Sequence, residues 1–507
     1  MNSHETSPAP FVKIILPAMA GLALSAFFDT NPFITGSACL ATMAAAWILQ
    51  KHEAGSILAW ASILLFFFTI SEAATPKSRL PYGEYVTAVA QIDEQPSVRG
   101  RWQRTSATVG YYKTAKDDNA PWLSADESIQ LYVDTCYIVH QGMQIAFRGW
   151  MNAIDTTGSS YGNLMRRRGF HRRLYLTPGN MLKEAQYVST TPVYYASQLH
   201  SKAAQRLDRL TLDNESHAVV SAMVIGDRRF ISNEMRQTYN KSGSAHILAV
   251  SGLHVGIVFL LINLLLYLLP TFRYGHIVKN SMAILCIWLY ALTTGMSPSV
   301  IRAATMASFA QLALATSSQR NTMNIILGTA VVMLALNPNY LSDPSFLLSF
   351  SAVLAIVIFY RHLFDPLRSR RKLLNIVTGA IIVGFAATVG TAPLVSYWFG
   401  NSPIIGILTG PLVIMTAYVI VLLGMIWIIA PIGILQNTFS VILDTAANLQ
   451  NRIVEWSAAQ QWAIFEGHIS LAGVFLCYAV LVISYITICS TRHYTTISQN
   501  VTKRSKF

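Results

Sequence analysis

The sequence contains a stretch that combines histidine, serine and glycine at the start of an apolar run: Ser242-Gly-Ser-Ala-His246-Ile-Leu-Ala-Val-Ser251-Gly252-Leu-His254-Val-Gly256. The apolar run ends near residue 269. A bilayer core is crossed by about 20 apolar residues in a helix. Ser251 and His254 share one helix face, and polar groups at membrane depth point into a bundle or a wet cavity. Gly252 and Gly256 form a GxxxG pattern, which predicts close helix packing. Inter-helix hydrogen bonding explains the polar residues equally well.

Apolar runs of similar length occur along most of the chain. There are about eleven, at 11–28, 32–49, 55–72, 246–269, 278–294, 300–316, 323–336, 345–360, 374–397, 404–430 and 469–489. Pro403 and Pro411 suggest that the run at 404–430 is a re-entrant or doubled segment. The pattern predicts a polytopic α-helical membrane protein with about 10–11 transmembrane helices.

The composition excludes several other classes of protein. Charged residues make up 12% of the 507 residues, hydrophobic residues 53%, and the mean hydropathy is +0.41. So few charges cannot cover a soluble enzyme of this size or keep a chain disordered. Five cysteines without regular spacing predict neither a disulfide framework nor a metal site.

The distribution of Lys and Arg residues predicts the orientation of the chain in the membrane. It also explains part of the net charge of +13. If Lys51, Arg273, Arg320 and the basic stretch 361–372 lie inside, the N-terminus is inside and residues 75–241 are outside. We expect the basic tail, residues 491–507, to be cytoplasmic as well. That placement requires the extra membrane crossing within 404–430.

Residues 75–190 predict a small β domain. Apolar and polar residues alternate at 85–93, 129–133 and 143–147, with weaker strands near 104–112, 172–176 and 185–189. Strands this short suit a closed barrel, which has no exposed edges. The predicted domains are membrane helices at 1–74, the β domain at 75–190, an amphipathic helical connector at 191–241, a membrane core at 242–490 and the tail.

Two further polar motifs lie in the membrane core. Gly295–Met306 contains Ser299 and Arg302, and Asn337–Phe350 contains Asp343 and Ser349. Arg302 either faces a pore or a buried acid such as Asp343, or it is an anchor at the membrane interface. Asp343 before Pro344 is also an ordinary helix cap.

Together these three motifs resemble the ComEC family of competence proteins. The family pattern is HxLAxSGLHxG, then SxxRAxxM, then NPxxLxDxSFxLSF, and the resemblance extends over nearly the whole chain. It implies an inner-membrane channel that passes single-stranded DNA into the cytoplasm during natural transformation. It also implies that the β domain is an OB-like barrel, inserted between membrane helices on the extracytoplasmic side. The implied channel residues are His246, Ser251, Gly252, His254, Gly256, Ser299, Arg302, Asp343 and Ser349.

Single-stranded DNA is bound by basic grooves with stacking aromatic rings. Two clusters in the β domain have this composition, and they comprise Arg99, Arg101, Trp102, Arg104, Arg166, Arg167, Arg168, Phe170, Arg172 and Arg173. A solvated loop on anionic lipid head groups is the alternative interpretation.

Longer family members carry a C-terminal metallo-β-lactamase-like domain with an HxHxDH cluster. The twelve histidines here include no such cluster, and the chain has no GxxxxGK[ST] loop. We therefore expect a non-enzymatic protein without cofactor or metal. Its expected partners are single-stranded DNA, the lipid bilayer, and a separate DNA receptor, ATP-driven motor and nuclease, and a homo-oligomer is left open.

Two other functions remain open from the sequence. An intramembrane hydrolase would use Ser251 as nucleophile and His254 as base, with Asp343 as the orienting acid. A transporter of small molecules or lipids would share the many helices, but the sequence shows no repeated halves.

Overall fold

The structure is a computed structural model. It describes residues 10–25, 27–28, 30–74, 78–94, 96–114, 121–154, 162, 165, 169–185, 192–267, 275–315, 321–460 and 464–504. It gives the backbone alone at 99, 184–185, 192–194, 197, 314–315, 401–402, 464–466 and 488–504.

Three apolar helices precede the β domain: α1 (Pro10–Ser25), α2 (Pro32–Ile48) and α3 (Glu53–Ala74). Asn31 caps α2, since its side chain accepts the Phe33 N–H at 3.0 Å, and Pro32 occupies the first turn. Gly21 of α1 packs directly on the backbone of α3 at Leu64. A side chain there would collide with that backbone, so glycine is what allows the two helices to approach.

The β domain is a closed barrel, as the sequence predicts. The structure describes seven strands there: β1 (Glu84–Ile92), β2 (Ser97–Arg99), β3 (Trp102–Thr114), β4 (Leu123–Asp134), β5 (Gln144–Ala153), β6 (Arg172–Leu176) and β7 (Met181–Ala185). The barrel order is β1-β3-β4-β6-β5, with β5 pairing back to β1. Strands β4 and β6 are parallel and the other barrel pairs antiparallel. This is the OB-like barrel that the family resemblance implies.

Alternate residues along each strand place apolar side chains in the barrel interior. Inward residues such as Ala107, Ile129, Leu131 and Leu174 are fully buried. Residues between them face outward because successive side chains point to opposite faces of a strand. The structure has β7 at 181–185, which overlaps the strand predicted near 185–189 at residue 185 alone, and residues 186–190 lie outside the described residues.

The rest of the described chain is mainly helical. The connector contains α4 (Pro192–Leu207), α5 (Asn214–Val224) and α6 (Asn233–Lys241). The core contains α7 (Gly252–Leu265), α8 (Gly275–Thr293), α9 (Pro298–Ala315), α10 (Thr322–Leu336), α11 (Pro344–Phe364), α12 (Lys372–Phe399), α13 (Gly406–Ile429), α14 (Gln436–Ala458) and α15 (Leu471–Arg504). Short strands β8 (Asn401–Pro403) and β9 (Ile464–Glu466) pair with each other.

Several helices have the length and composition of membrane spans. Among the described residues, α3, α8, α12, α13 and the segment Pro344–Leu367 are long and apolar enough to cross a bilayer. Shorter apolar helices are α1, α2, α7, α10 and the Leu471–Thr487 part of α15. The predicted fold class is therefore confirmed.

Two details differ from the sequence expectation. The run at 404–430 is neither broken nor doubled, because α13 continues through Pro411. The amphipathic helix α14 was not predicted, since its polar residues interrupt any apolar run. Its Ser440 hydroxyl accepts the backbone N–H of Thr211 at 3.0 Å, which attaches α14 to the loop between α4 and α5 of the connector.

The chain forms two compact units. One comprises Met1–Arg236, Ala245–Phe346 and Met415–Asn451, and the other Gln237–Ser244, Leu347–Ile414 and Arg452–Phe507. The barrel and the helices α7 to α10 belong to the first unit. The helix α12 and most of α11 belong to the second.

Candidate functional site

One outer surface of the barrel carries aromatic and basic side chains from three adjacent strands. We call it the aromatic face; it consists of Trp102, Arg104, Tyr132, Arg173 and Tyr175. The strand register sets Arg104 opposite Tyr132, and Tyr132 opposite Tyr175. Neighbouring outward positions of β3, β4 and β6 thus form one continuous surface.

The rings of this face touch one another. Tyr132 and Tyr175 stack with centroids 4.7 Å apart and planes at 17°, and Trp102 meets Tyr175 edge to face at 5.3 Å. The Tyr132 hydroxyl donates to Oε1 of Gln130 at 3.3 Å, which orients the ring. Tyr175 keeps 39% of its surface exposed, so the cluster offers an apolar surface to a flat ligand.

Arg101 is charge-balanced beside this face. Its Nε lies 2.7 Å from Oδ2 of Asp134, and its guanidinium carbon lies 5.7 Å from the Trp102 ring centroid. The hydrogen bond from the Cys136 backbone N–H is the largest cause of a lowered pKa of Asp134, and the hydrogen bond from Arg101 is the next largest. Arg101 is therefore paired with an acid and lies against Trp102.

Two other arginines supply the charge of the aromatic face. Nη2 of Arg104 lies 3.8 Å from Sδ of Met165, which also accepts from Gln130 at 3.0 Å. Nε of Arg173 is buried and has no hydrogen-bond partner among the described residues. Part of the guanidinium of Arg173 is thus left uncommitted by the described chain.

The remaining predicted DNA-binding residues fall elsewhere. Arg172 uses its guanidinium to donate to the carbonyls of Leu80 and Pro81, at 2.9 to 3.3 Å, so it holds the start of the barrel domain. Phe170 is half-buried on a turn, and Arg99 ends β2 with only its backbone described. Arg166, Arg167 and Arg168 lie outside the described residues.

Sequence reasoning missed Tyr132 and Tyr175. Both residues occupy outward positions within predicted strands. The alternation of apolar and polar residues was the signal that could have identified them as outward-facing. Their meeting depends on the parallel pairing of β4 with β6, which alternation does not reveal.

A second group of predicted residues begins at the start of α7. Ser251 caps the helix, and its backbone N–H donates to Nδ1 of His254 at 2.9 Å. Nδ1 must be unprotonated to accept this bond, so Nε2 carries the proton of the neutral ring. His254 is fully buried, and its Nε2 has no hydrogen-bond partner in the described part of the chain. His246 lies on the preceding turn and is exposed.

These bonds argue against the hydrolase hypothesis. A serine–histidine–acid relay needs the imidazole between the nucleophile and the orienting carboxylate. Here Nδ1 accepts a backbone N–H, and none of the described carboxylates, Asp343 included, is hydrogen-bonded to Nε2.

Ser345 is hydrogen-bonded to both Arg302 and Asp343. Nη2 of Arg302 donates to the hydroxyls of Ser299, at 3.0 Å, and Ser345, at 3.2 Å. The Ser345 backbone N–H donates to Oδ1 of Asp343 at 2.8 Å, and the Asp343 carboxylate acts electrostatically on Arg302. Asp343 thus caps α11 and faces the arginine, so both sequence interpretations apply.

The glycine prediction is only partly right. A Cβ at Gly252 would lie 3.7 Å from Cβ of Ala303, an ordinary contact between α7 and α9, whereas at Gly256 it would meet nothing within 4 Å. The described neighbours therefore do not require a GxxxG close approach at Gly256. Ser349 lies on α11 in the other compact unit.

A further charged pair lies between α5 and α6. Asp227 is buried, and the guanidinium of Arg229 donates to both of its carboxylate oxygens at 2.6 to 3.0 Å. Burial raises the pKa of Asp227, but the bonds and charge of Arg229 outweigh it and lower the pKa overall. Across the described residues, His, Cys, Asp and Glu side chains form no group of three or more that could hold a metal ion.

These observations define a multi-pass membrane protein with an OB-like barrel and a helical core that buries polar residues. A family model described as Competence protein matches residues 223–490, more than half of the chain. The chain therefore belongs to the competence protein family.

Individual relatives share parts of the chain. ComE operon protein 3 of Bacillus subtilis (strain 168) is 29% identical over 196 residues, 39% of this chain and 24% of the relative. An uncharacterized protein of Aquifex aeolicus (strain VF5) is 30% identical over 199 residues, 39% of this chain and 44% of the relative. The matches thus span less than half of either relative. No solved structure matches the chain.

Proposed function

We propose that this protein is the channel that carries single-stranded DNA through the cytoplasmic membrane during natural transformation. Family membership supports a role in competence and DNA uptake. In this proposal the barrel, residues 75–190, lies outside and receives the strand, while the helical core conducts it to the cytoplasm.

The aromatic face is the observation that carries the proposal. OB folds bind oligonucleotides on the surface of their second and third strands, and here those barrel strands are β3 and β4. Stacking on aromatic rings is sequence-tolerant because every base has a π-face. A channel for arbitrary DNA needs this tolerance.

The helical core supplies a different environment. Polar side chains around Ser251, His254 and Arg302 lie within otherwise apolar helices, and such groups usually mark a substrate path. Because the sequence lacks a phosphate-binding ATPase loop, we assign the driving force to a separate motor protein. The DNA receptor and the nuclease are likewise separate proteins in this scheme.

Deletion of the gene in a transformable host tests the proposal. We expect labelled DNA still to reach a nuclease-protected state outside the cytoplasmic membrane, while its delivery to the cytoplasm is lost. Complementation with the wild-type gene should restore delivery. Undiminished delivery in the deletion strain would disprove the proposed function.

A further inference from the structure

Arg302 is a buried cation whose hydrogen-bonding capacity is only partly used by the described chain. The residue lies on α9 and is 4% exposed. Its Nη2 is bonded to Ser299 and Ser345, whereas Nε and Nη1 are buried and have no hydrogen-bond partner among the described residues. One side of the guanidinium is therefore fixed, and the N–H groups on Nε and Nη1 remain uncommitted.

We propose that Arg302 binds a phosphodiester group of the DNA strand through these uncommitted N–H groups. The inference rests on the proposed function and adds a substrate-binding residue within the helical core. A guanidinium has only donors, and a phosphodiester offers acceptor oxygens with one negative charge, so the two match in both charge and hydrogen bonding.

Ser299 and Ser345 orient the guanidinium of Arg302 before a phosphodiester binds. Ser299 belongs to α9 and Ser345 to α11, and their hydroxyl oxygens lie 3.4 Å apart. Because Nη2 is held from two helices, the guanidinium has a fixed orientation before any ligand arrives. A pre-oriented donor loses less conformational entropy on binding than a free side chain does.

Asp343 limits the affinity of Arg302 for a phosphodiester. A buried arginine without a counter-charge would cost several kcal/mol and would hold an anion tightly. The carboxylate of Asp343 acts on Arg302 and is itself held by the Ser345 backbone N–H. It competes with the phosphodiester, so each phosphate can leave, as transit through a channel requires.

The same part of the helical core contains other buried polar atoms. Oγ of Ser297, just before α9, is buried without a partner among the described residues, as is Nε2 of His254 on the adjacent helix α7. Because Arg302 is almost fully enclosed, binding requires the side chains over Nε and Nη1 to move aside, while the bonds of Nη2 to α9 and α11 stay in place. The alternative is a purely structural role, in which Arg302 ties those two helices together.

Substitutions can separate the two roles in the full-length protein. Arg302→Gln removes the charge, whereas the double variant Ser299→Ala with Ser345→Ala removes both hydroxyl partners of Nη2 and keeps the charge. We expect Arg302→Gln to lower DNA delivery by about 10-fold to 100-fold, the range of one charge-assisted hydrogen bond. Arg302→Lys should restore part of the delivery, and the serine double variant, which keeps the charge but loses its fixed orientation, should lower delivery less than Arg302→Gln does.

A chemically altered DNA probe tests phosphate contact directly. Delivery of an oligonucleotide with a central methylphosphonate segment, which lacks backbone charge, is compared with delivery of the unmodified strand. Wild-type protein should deliver the altered strand less well, and Arg302→Gln should discriminate less between the two. Equal discrimination by both proteins would overturn the inference.

Protein stability provides the second control. If Arg302 were only structural, the serine double variant and Arg302→Gln would lower delivery and the thermal midpoint of the purified protein together. That result would also overturn the inference. The proposed function fails separately, since it requires only that deletion of the gene abolish delivery.

Discussion

Replacing Trp102 by alanine tests the aromatic face most directly. Trp102 is a half-buried outward residue at the start of β3, and it meets Tyr175 edge to face. The substitution removes a stacking surface and leaves the strand pairing with β4 unchanged, because that pairing uses backbone atoms. We expect weaker binding of single-stranded DNA without loss of the barrel.

The magnitude follows from the energy of one stacked base. Base–aromatic stacking contributes about 1–3 kcal/mol per base, and each 1.4 kcal/mol is a factor of about 10 in Kd. Loss of Trp102 should therefore raise Kd by about 5-fold to 150-fold.

The assay is fluorescence anisotropy of a labelled thymidine oligonucleotide with the full-length protein in nanodiscs at fixed salt. Trp150→Ala is the matched control, because Trp150 is 58% exposed on β5 and pairs with Tyr85 away from the aromatic face. The control should stay within about twofold of wild type. Equal losses for the two tryptophan variants, or an unchanged Kd for Trp102→Ala, would refute the assignment of this face.

Three further predictions concern stability, measured as unfolding midpoints of the purified protein. Burial raises the pKa of Asp93 to about 6 despite a hydrogen bond from Thr108, so ionisation destabilises the barrel as pH rises from about 4 to 6. Asp93→Asn should stabilise the protein by about 2 kcal/mol at pH 7.5 and give no gain at pH 4. Arg229→Met leaves Asp227 buried without its partner and should cost about 3 kcal/mol at pH 7. In this variant burial raises the pKa of Asp227 because the bonds and charge of Arg229 are gone, so the loss should shrink as the pH falls through that raised pKa, and a pH-independent loss would contradict it. Gly390→Val should reduce folded yield because α11 packs against that glycine, whereas Gly410→Val, with open space, should not.

The barrel shows how far strand alternation can predict a structure. Alternating residues located β1, β4 and β5 and their inward faces, since burial on one side of a strand has a period of two. They did not predict the stack of Tyr132 on Tyr175. That contact arises from a parallel pairing between strands separated by β5, and pairing partners depend on the closed topology.

The helix α13 shows where a local rule fails. Pro411 suggested a break because proline cannot donate to the carbonyl four residues earlier. That carbonyl belongs to Ile407, and its oxygen would lie 3.6 Å from a Cβ at Gly384 of α12. The missing bond therefore occurs where a neighbouring helix can approach closely. One lost bond does not outweigh the packing of a 24-residue apolar helix.

The structure also changes how the excess of positive charge relates to function. Of the predicted DNA-binding arginines, Arg101 is paired with Asp134 and Arg172 is bonded to backbone carbonyls. Arg104 and Arg173 remain beside the stacked rings. On the described part of this face, the stacked rings would then contribute more to recognition than charge does. A strand held mainly by its bases can slide from ring to ring. Its phosphates stay free to meet Arg302, so the barrel and the helical core would recognise different parts of the same strand.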